Sequence, residues 1–245
     1  MGGAHPNPGT GGASIVFVAC KVLGAALERV LPPDLAAQVN FLDYGLHRVP
    51  VKLTDAVQDA LLEIEMPSLV ILGYGLCGNG LRGIRSGPHT LLAPRTDDCI
   101  ALLLGSYRSY MQQFARTPGT YYLTKGWLES GSHPLKEYYE YLPKYGHETT
   151  MWLLDQQYSN YERIALVASN SEELVAYREQ AQEVARFCER WNMRYEEITG
   201  SDDYVRRLID TAIGLRDGTL MPDSVYPDFL VITPGQEIRQ EMYMR

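Results

Sequence analysis

Residues 68–73 (SLVILG) constrain the chain more than any other stretch: they are uncharged and almost wholly apolar, and they open directly into a glycine-rich loop. A strand with apolar side chains on both alternating faces has to be covered from both sides, which is the situation of a parallel strand between layers of helices. Similar short runs rich in β-branched and aliphatic residues recur at 14–20 (SIVFVAC), 38–43 (QVNFLD), 163–169 (RIALVAS), 194–198 and 228–233 (DFLVIT), with a briefer one at 90–93. Segments of helical spacing separate them. Val22, Ala26, Leu27 and Val30 mark one helix over 21–31, and Thr54 is the expected N-cap of a second that runs to about residue 65. Ile100, Leu103, Leu104, Tyr107, Met111 and Phe114 mark a third over 97–115 with Thr96 as its expected cap, and a fourth spans 172–191. The alternation predicts an α/β fold, an open, mostly parallel sheet with helices on both faces. Because the order strand, helix, strand recurs in both halves, it also predicts two similar lobes.

The length of 245 residues fits a single α/β domain over 14–245, with lobes at 14–119 and 162–245 and a helical, Tyr-rich insert at 120–161, preceded by a flexible Gly- and Pro-rich tail at 1–13. At 45% hydrophobic and 21% charged residues the chain can bury a full core. A net charge of −8 leaves no basic stripe for nucleic acid or for anionic lipid. No apolar run approaches the roughly 20 residues that cross a bilayer, so no membrane span is expected. The first residues carry neither the positive nor the apolar region of a secretory signal, which predicts a cytoplasmic protein whose four cysteines stay reduced.

Three of those cysteines fall where an open α/β sheet binds ligands, beyond the carboxyl ends of its strands. Cys20 ends the first run, Cys77 sits in the loop after SLVILG, and Cys99 opens the helix after the 90–93 strand. A helix N-terminus favours the thiolate, the form that attacks electrophiles and holds soft metals, so lowered pKa values are expected at Cys20 and Cys99. With His47, from the loop after the second strand, the three cysteines make a Cys₃His set that suits zinc. Three thiolates alone suit an iron–sulfur cluster with one open iron position. The same residues have plain structural readings: a free cysteine is often a small core hydrophobe, and His47 can simply pack in its loop. Cys188, beside Phe187 within a helix, reads as packing, and His89, His133 and His147 lie in polar stretches where exposure is expected.

The loop 73–83 (GYGLCGNGLRG) sets Gly75, Gly78 and Gly80 around Cys77, which gives its backbone freedom to approach a ligand closely. It lacks the ending of a phosphate-binding loop and matches a dinucleotide fingerprint in glycine spacing alone. Arg95, Asp97 and Asp98 directly precede Cys99; Arg95 can clamp an anionic ligand, and either aspartate can orient a ligating group or act as a base. Their alternative is a helix cap beside a solvated arginine. The aromatic rings of 120–161 suit packing, a lid, a flat cofactor or a protein interface.

At GYGLCGNG (73–80), PRTDDCIALLLGS (94–106) and TYYLTKGW (120–127), with the Ala19-Cys20 step and the LHxxP pattern of Leu46, His47 and Pro50, the sequence resembles a prokaryotic family catalogued as domain of unknown function sixteen thirty-eight. The resemblance runs from Cys20 to about Thr233 and puts Cys20, His47, Cys77, Arg95, Asp97, Asp98 and Cys99 at motif positions. Members often lie near genes for corrinoid-dependent methyltransferases, so the resemblance implies one-carbon or methyl-transfer metabolism. Three readings stand. The first is a metal-dependent enzyme, a methyltransferase or related transferase, acting on a small molecule through zinc or an iron–sulfur cluster. The second is a non-catalytic protein that binds or assembles a metal or a corrinoid for a methyltransferase or corrinoid-protein partner, docking through the Tyr-rich segment. The third is a metal-free enzyme that uses paired cysteines as acid and base.

Overall fold

In the computed structural model, which describes residues 14–245, the first half of the chain builds β1 (Ile15–Cys20), α1 (Gly24–Val30), α2 (Pro33–Ala36), β2 (Val39–Leu42), α3 (Pro50–Leu62), β3 (Leu69–Gly73), β4 (Thr90–Pro94), α4 (Ile100–Leu103) and α5 (Tyr107–Arg116). The second half continues with β5 (Thr120–Leu123), α6 (Lys125–Ser130), α7 (Pro134–Tyr158), β6 (Arg163–Ala168), α8 (Ser171–Cys188), β7 (Arg194–Thr199), α9 (Asp203–Arg216) and β8 (Phe229–Ile232). The stretch 1–13, expected to be a tail, lies outside the described residues.

The fold is the expected α/β arrangement of open, mostly parallel strands, divided between two sheets. One has the order β2-β1-β3-β4-β8 and is parallel except for β8, which runs antiparallel to β4. The other, β5-β6-β7, is wholly parallel. The segment 120–161 is therefore not only helical: it opens with the edge strand β5. The last strand, β8, returns to the first sheet.

Side-chain alternation sorts the core. On β1 and β3, Phe17, Ala19, Leu69 and Ile71 join residues of α1, α4 and α9, whereas Val18, Cys20, Val70 and Leu72 join α3 and the C-terminal Ile238 and Tyr243. Every residue of β3 is buried, as its composition required; each such aliphatic side chain contributes roughly 1.5–3 kcal/mol. The second sheet lays Leu123, Ile164, Leu166 and Ala168 against α7 and α8, with Cys188 in the same cluster, while Val167 packs into the first cluster.

Several local expectations are corrected. The helix expected to start at Thr54 starts at Pro50, a residue suited to a first turn because it lacks an N–H, and the Thr54 hydroxyl donates to the carbonyls of Pro50 and Gly80 instead. The helix expected over 97–115 is two helices, α4 and α5. Gly105 breaks it at φ +83°, where any Cβ would come 2.7 Å from that of Ser201, and Ser106 caps the second piece by accepting from Ser109 N–H. Thr96 caps nothing; Asp98 accepts the Ile100 N–H in its place. His89 and His133 are buried rather than exposed: His89 accepts from Ser68 N–H, and His133 is the N-cap of α7. Among the described residues no helix is long and apolar enough to cross a membrane.

Candidate functional site

The first sheet changes direction between β1 and β3, because β2 lies to one side of β1 while β3 and β4 lie to the other. At such a point the loops leaving the two strands part and open a crevice at their carboxyl ends, where open α/β sheets bind ligands. Cys20 is the last residue of β1, and the loop bearing Cys77 follows β3. Both line a cavity of about 370 Å³, a small-molecule size, together with Cys99, His47, Gly78 and Asp98.

Backbone geometry brings two of these cysteines together. Cys77 has φ +49°, a left-handed conformation that is costly for a residue other than glycine and that recurs at functional sites. It is held there by hydrogen bonds from Leu76 N–H to Thr96 O (2.9 Å) and from Cys77 N–H to Asp97 O (2.8 Å), which stitch the glycine loop to the segment between β4 and α4. Gly75 permits the approach, since a Cβ there would stand 2.6 Å from the backbone of Asp98. The result is a Cys77 Sγ to Cys99 Sγ distance of 3.7 Å.

The other expected site residues divide. Gly78 lines the cavity, while Gly80 gives room to Leu53 and, like Gly75, serves packing rather than a ligand. Asp98 lines the cavity with both oxygens engaged, one by Ile100 N–H (2.9 Å) and one by Tyr110 O–H (3.1 Å), and burial pushes its pKa up. Asp97 is exposed and contributes its backbone carbonyl. Arg95 turns away from the cavity: it is buried, donates to the carbonyls of Met242 (2.7 Å) and Met244, and lies 4.6 Å over the Tyr226 ring. It fastens the C-terminal segment, so the ligand clamp expected of it is not available.

The expected lowering of the thiol pKa values is reversed. Burial, with a smaller effect of Cys99, pushes Cys20 up to about 12, and Cys99 is pushed well up by its hydrogen bond with Cys77 and by burial. The four-residue α4 supplies too little dipole to offset desolvation. His47 moves the other way: burial and then the neighbouring Arg48 lower its pKa, which favours the neutral imidazole, and its ring lies 5.8 Å from that of Trp127.

The opposite wall comes from the Tyr-rich segment. Tyr121, Tyr122, Trp127, Tyr158 and Tyr161 line the cavity, whereas Tyr139, Tyr145 and Trp152 of the same segment are exposed outside it. Arg48 and the buried Glu137 also line it, paired at 2.8 Å; Tyr158 O–H donates to the second oxygen of Glu137 at 2.6 Å, and Gln157 donates to Tyr158 at 2.9 Å. Sequence reasoning missed Arg48 and Glu137. The first sits within the LHxxP pattern, and the second was hidden among the polar residues of an amphipathic helix.

The donor set fits a metal in part. Two thiolates about 2.3 Å from one tetrahedral zinc ion stand about 3.8 Å apart, close to the 3.7 Å between Cys77 and Cys99. In a cubane iron–sulfur cluster each thiolate binds a different iron, which sets the sulfurs farther apart, so the spacing favours a single ion. Cys20 and His47 line the same cavity without completing a cluster: among the described residues no group of three or more His, Cys, Asp or Glu side chains is arranged to hold a metal.

Comparison with known proteins adds one match. A family model described as protein of unknown function (DUF1638) matches residues 41–209, more than half of the chain and a span that includes His47, Cys77 and Cys99. No curated protein and no solved structure matches. The chain belongs to the DUF1638 family.

Proposed function

We propose that this protein is a metal-binding enzyme of one-carbon or methyl-transfer metabolism. In this reading Cys77 and Cys99 would hold zinc or an iron centre at the wall of a small-molecule cavity that Cys20 and His47 also line. The observation that carries the reading is the 3.7 Å separation of two buried sulfurs beside that cavity, at the point where the sheet changes direction. When bound, the ion supplies Lewis acidity and lowers the pKa of the group it activates.

The chain's own residues do the rest. Arg48 spends one N–H on Glu137 and keeps the others for an anionic group of the substrate. Tyr158 fixes the second oxygen of Glu137, so the pair is held rigid. Tyr121, Tyr122, Trp127 and Tyr161 offer an aromatic wall to the substrate's carbon frame, with Tyr121 edge-on to Tyr161. A cavity of about 370 Å³ admits a small substrate and not a whole corrinoid, so a corrinoid enters this scheme only on a partner methyltransferase or corrinoid protein. All four cysteines are free, which suits the reducing cytoplasm.

A metal-free enzyme using the thiol pair is the rival reading, favoured by the absence of a completed donor cluster among the described residues. Against it, buried thiols with raised pKa values make poor nucleophiles at neutral pH unless a cation offsets the charge. Elemental analysis with an absorption spectrum, on anaerobically purified wild type and Cys77→Ser, separates the two. We expect a near-stoichiometric metal that falls by at least tenfold in the variant. Metal content that is unchanged in Cys77→Ser, or turnover by wild type stripped of metal, would sink the metal reading.

A further inference from the structure

The chain is acidic, with a net charge of −8, yet it gathers four arginines in one groove. Arg108, Arg206, Arg207 and Arg245 line an open cavity of about 680 Å³, a small-molecule size, that shares no lining residue with the cysteine cavity. Two aspartates oppose them. Asp228 pairs with Arg207 at 2.7 Å and lies 3.7 Å from Arg245, and Asp203 stands in the first turn of α9. Among the described residues Arg108 and Arg206 have no ion pair and no side-chain hydrogen bond, and both are exposed on the groove.

The fold builds this groove by bringing two helix starts together. Gly105, at φ +83°, packs against Ser201 in the turn before α9. Ser201 N–H donates to Leu103 O at 3.1 Å, and Gly200 lies so close to that carbonyl that a Cβ would fall 1.9 Å from its oxygen. The first residues of α5 and α9, helices of 10 and 14 residues, therefore line the same cavity. Ser106 and Ser201 line it too, their hydroxyls accepting from Ser109 N–H (2.9 Å) and Asp203 N–H (3.0 Å).

The N-terminus of a helix carries partial positive charge, which favours anions and disfavours a cation nearby. Arg108 nevertheless stands in the first turn of α5, and Arg206 and Arg207 follow one another near the start of α9. This placement works against the stability of the free protein, and an anion in the groove reverses its sign. A carboxylate, with one charge and two oxygens, is satisfied by one guanidinium fork. Two unpaired forks match a phosphoryl group, which carries up to two charges and three terminal oxygens.

We infer that this groove is a second ligand site, which binds the phosphate group of a small phosphorylated molecule between Arg108 and Arg206. Arg207 and Arg245, held by Asp228, form its wall, with the Arg245 guanidinium 3.8 Å over the Tyr107 ring. The site does not depend on the metal reading of the cysteine cavity.

The test is calorimetric titration of the full chain with adenosine monophosphate and with inorganic phosphate, for wild type, Arg108→Gln, Arg206→Gln and Arg186→Gln. Arg186, an exposed arginine of α8, is the control. An ionic strength of about 0.15 M screens charges more than about 8 Å apart. Wild type is expected to bind one adenosine monophosphate per chain, more tightly than inorganic phosphate because the groove also takes the nucleoside. Loss of one charge-assisted clamp weakens binding about 10–100-fold. Arg108→Gln and Arg206→Gln should each show that loss, Arg186→Gln should show none, and the ligand-free groove variants should unfold in urea at or above the wild-type midpoint. No binding of either probe by wild type, undiminished binding in both groove variants, or an equal loss in Arg186→Gln would overturn the site. Equal affinity for the two probes would assign the groove to the free ion and overturn the carried phosphate. Urea midpoints well below wild type in both groove variants would make the arginines supports of the fold and overturn their role as clamps.

Discussion

Cys188 isolates what burial does to a thiol in this protein. It ends α8, and desolvation alone pushes its pKa up to about 12. Cys20 reaches about the same value with Cys99 assisting. A free thiol titrates near 8.5, so between about pH 8.5 and 12 the folded chain keeps a proton that the unfolded chain has released. Where the native state binds more protons, stability falls as pH rises, by at most about 1.4 kcal/mol per pH unit for each such thiol, and the contribution is intact below the unfolded pKa. Urea unfolding of metal-free wild type and Cys188→Ala at pH 8, 9 and 10 reads this directly. The stability lead of the wild type should shrink by about 1 kcal/mol between pH 9 and 10. Parallel pH curves for the two proteins would show that Cys188 is more solvated than its place in the core implies.

At the scale of elements, the site is a product of two loops stitched together, and Gly75 is the stitch that can be tested. Its replacement by Ala would drive a Cβ into the Asp98 backbone, which cannot rotate aside as a side chain can. The expected cost is about 1–3 kcal/mol by denaturation, with the loop displaced and metal affinity reduced by more than tenfold. Gly83→Ala is the control: φ +88° makes it strained, by about 1 kcal/mol, but a Cβ there meets nothing within 4 Å, so metal affinity should hold. Equal effects of the two variants on metal binding would mean that the loop is plastic. The strands and the rim positions of Cys20, Cys77, Cys99 and His47 were legible in the sequence because buried parallel strands are continuous apolar runs and ligands gather at their ends. The partners of Arg95 were not, since Met242 lies 147 residues away along the chain. Nor was the sign of the thiol shifts, which depends on depth below a surface that only packing creates. Strand β5 was hidden because its four residues, TYYL, resemble the aromatic stretch that follows them.

At the scale of the whole molecule, the cavity has one wall from each sheet region, and Arg48 and Glu137 join the walls. Arg48 belongs to the turn after β2, and Glu137 to α7, which packs on the second sheet. The pair is asymmetric: the Arg48 side chain is 45% exposed and that of Glu137 only 4%. Removing the arginine leaves a buried carboxylate with Tyr158 as its remaining donor, whereas Glu137→Gln buries no charge: its amide oxygen still accepts from Arg48, and its NH2 group meets the Tyr158 hydroxyl, which can turn to accept. Arg48→Met is therefore expected to destabilise by about 1–3 kcal/mol, and Glu137→Gln by less, when urea midpoints are compared. Arg48→Met should also raise amide exchange at both ends of the bridge, in residues 45–50 and 134–158, if the link restrains both walls. A loss below about 0.5 kcal/mol in both variants, the usual worth of an exposed ion pair, would mean that packing alone holds the walls together. Arg48 would then be free to serve the ligand without a structural duty, and its replacement would change substrate affinity while leaving stability untouched.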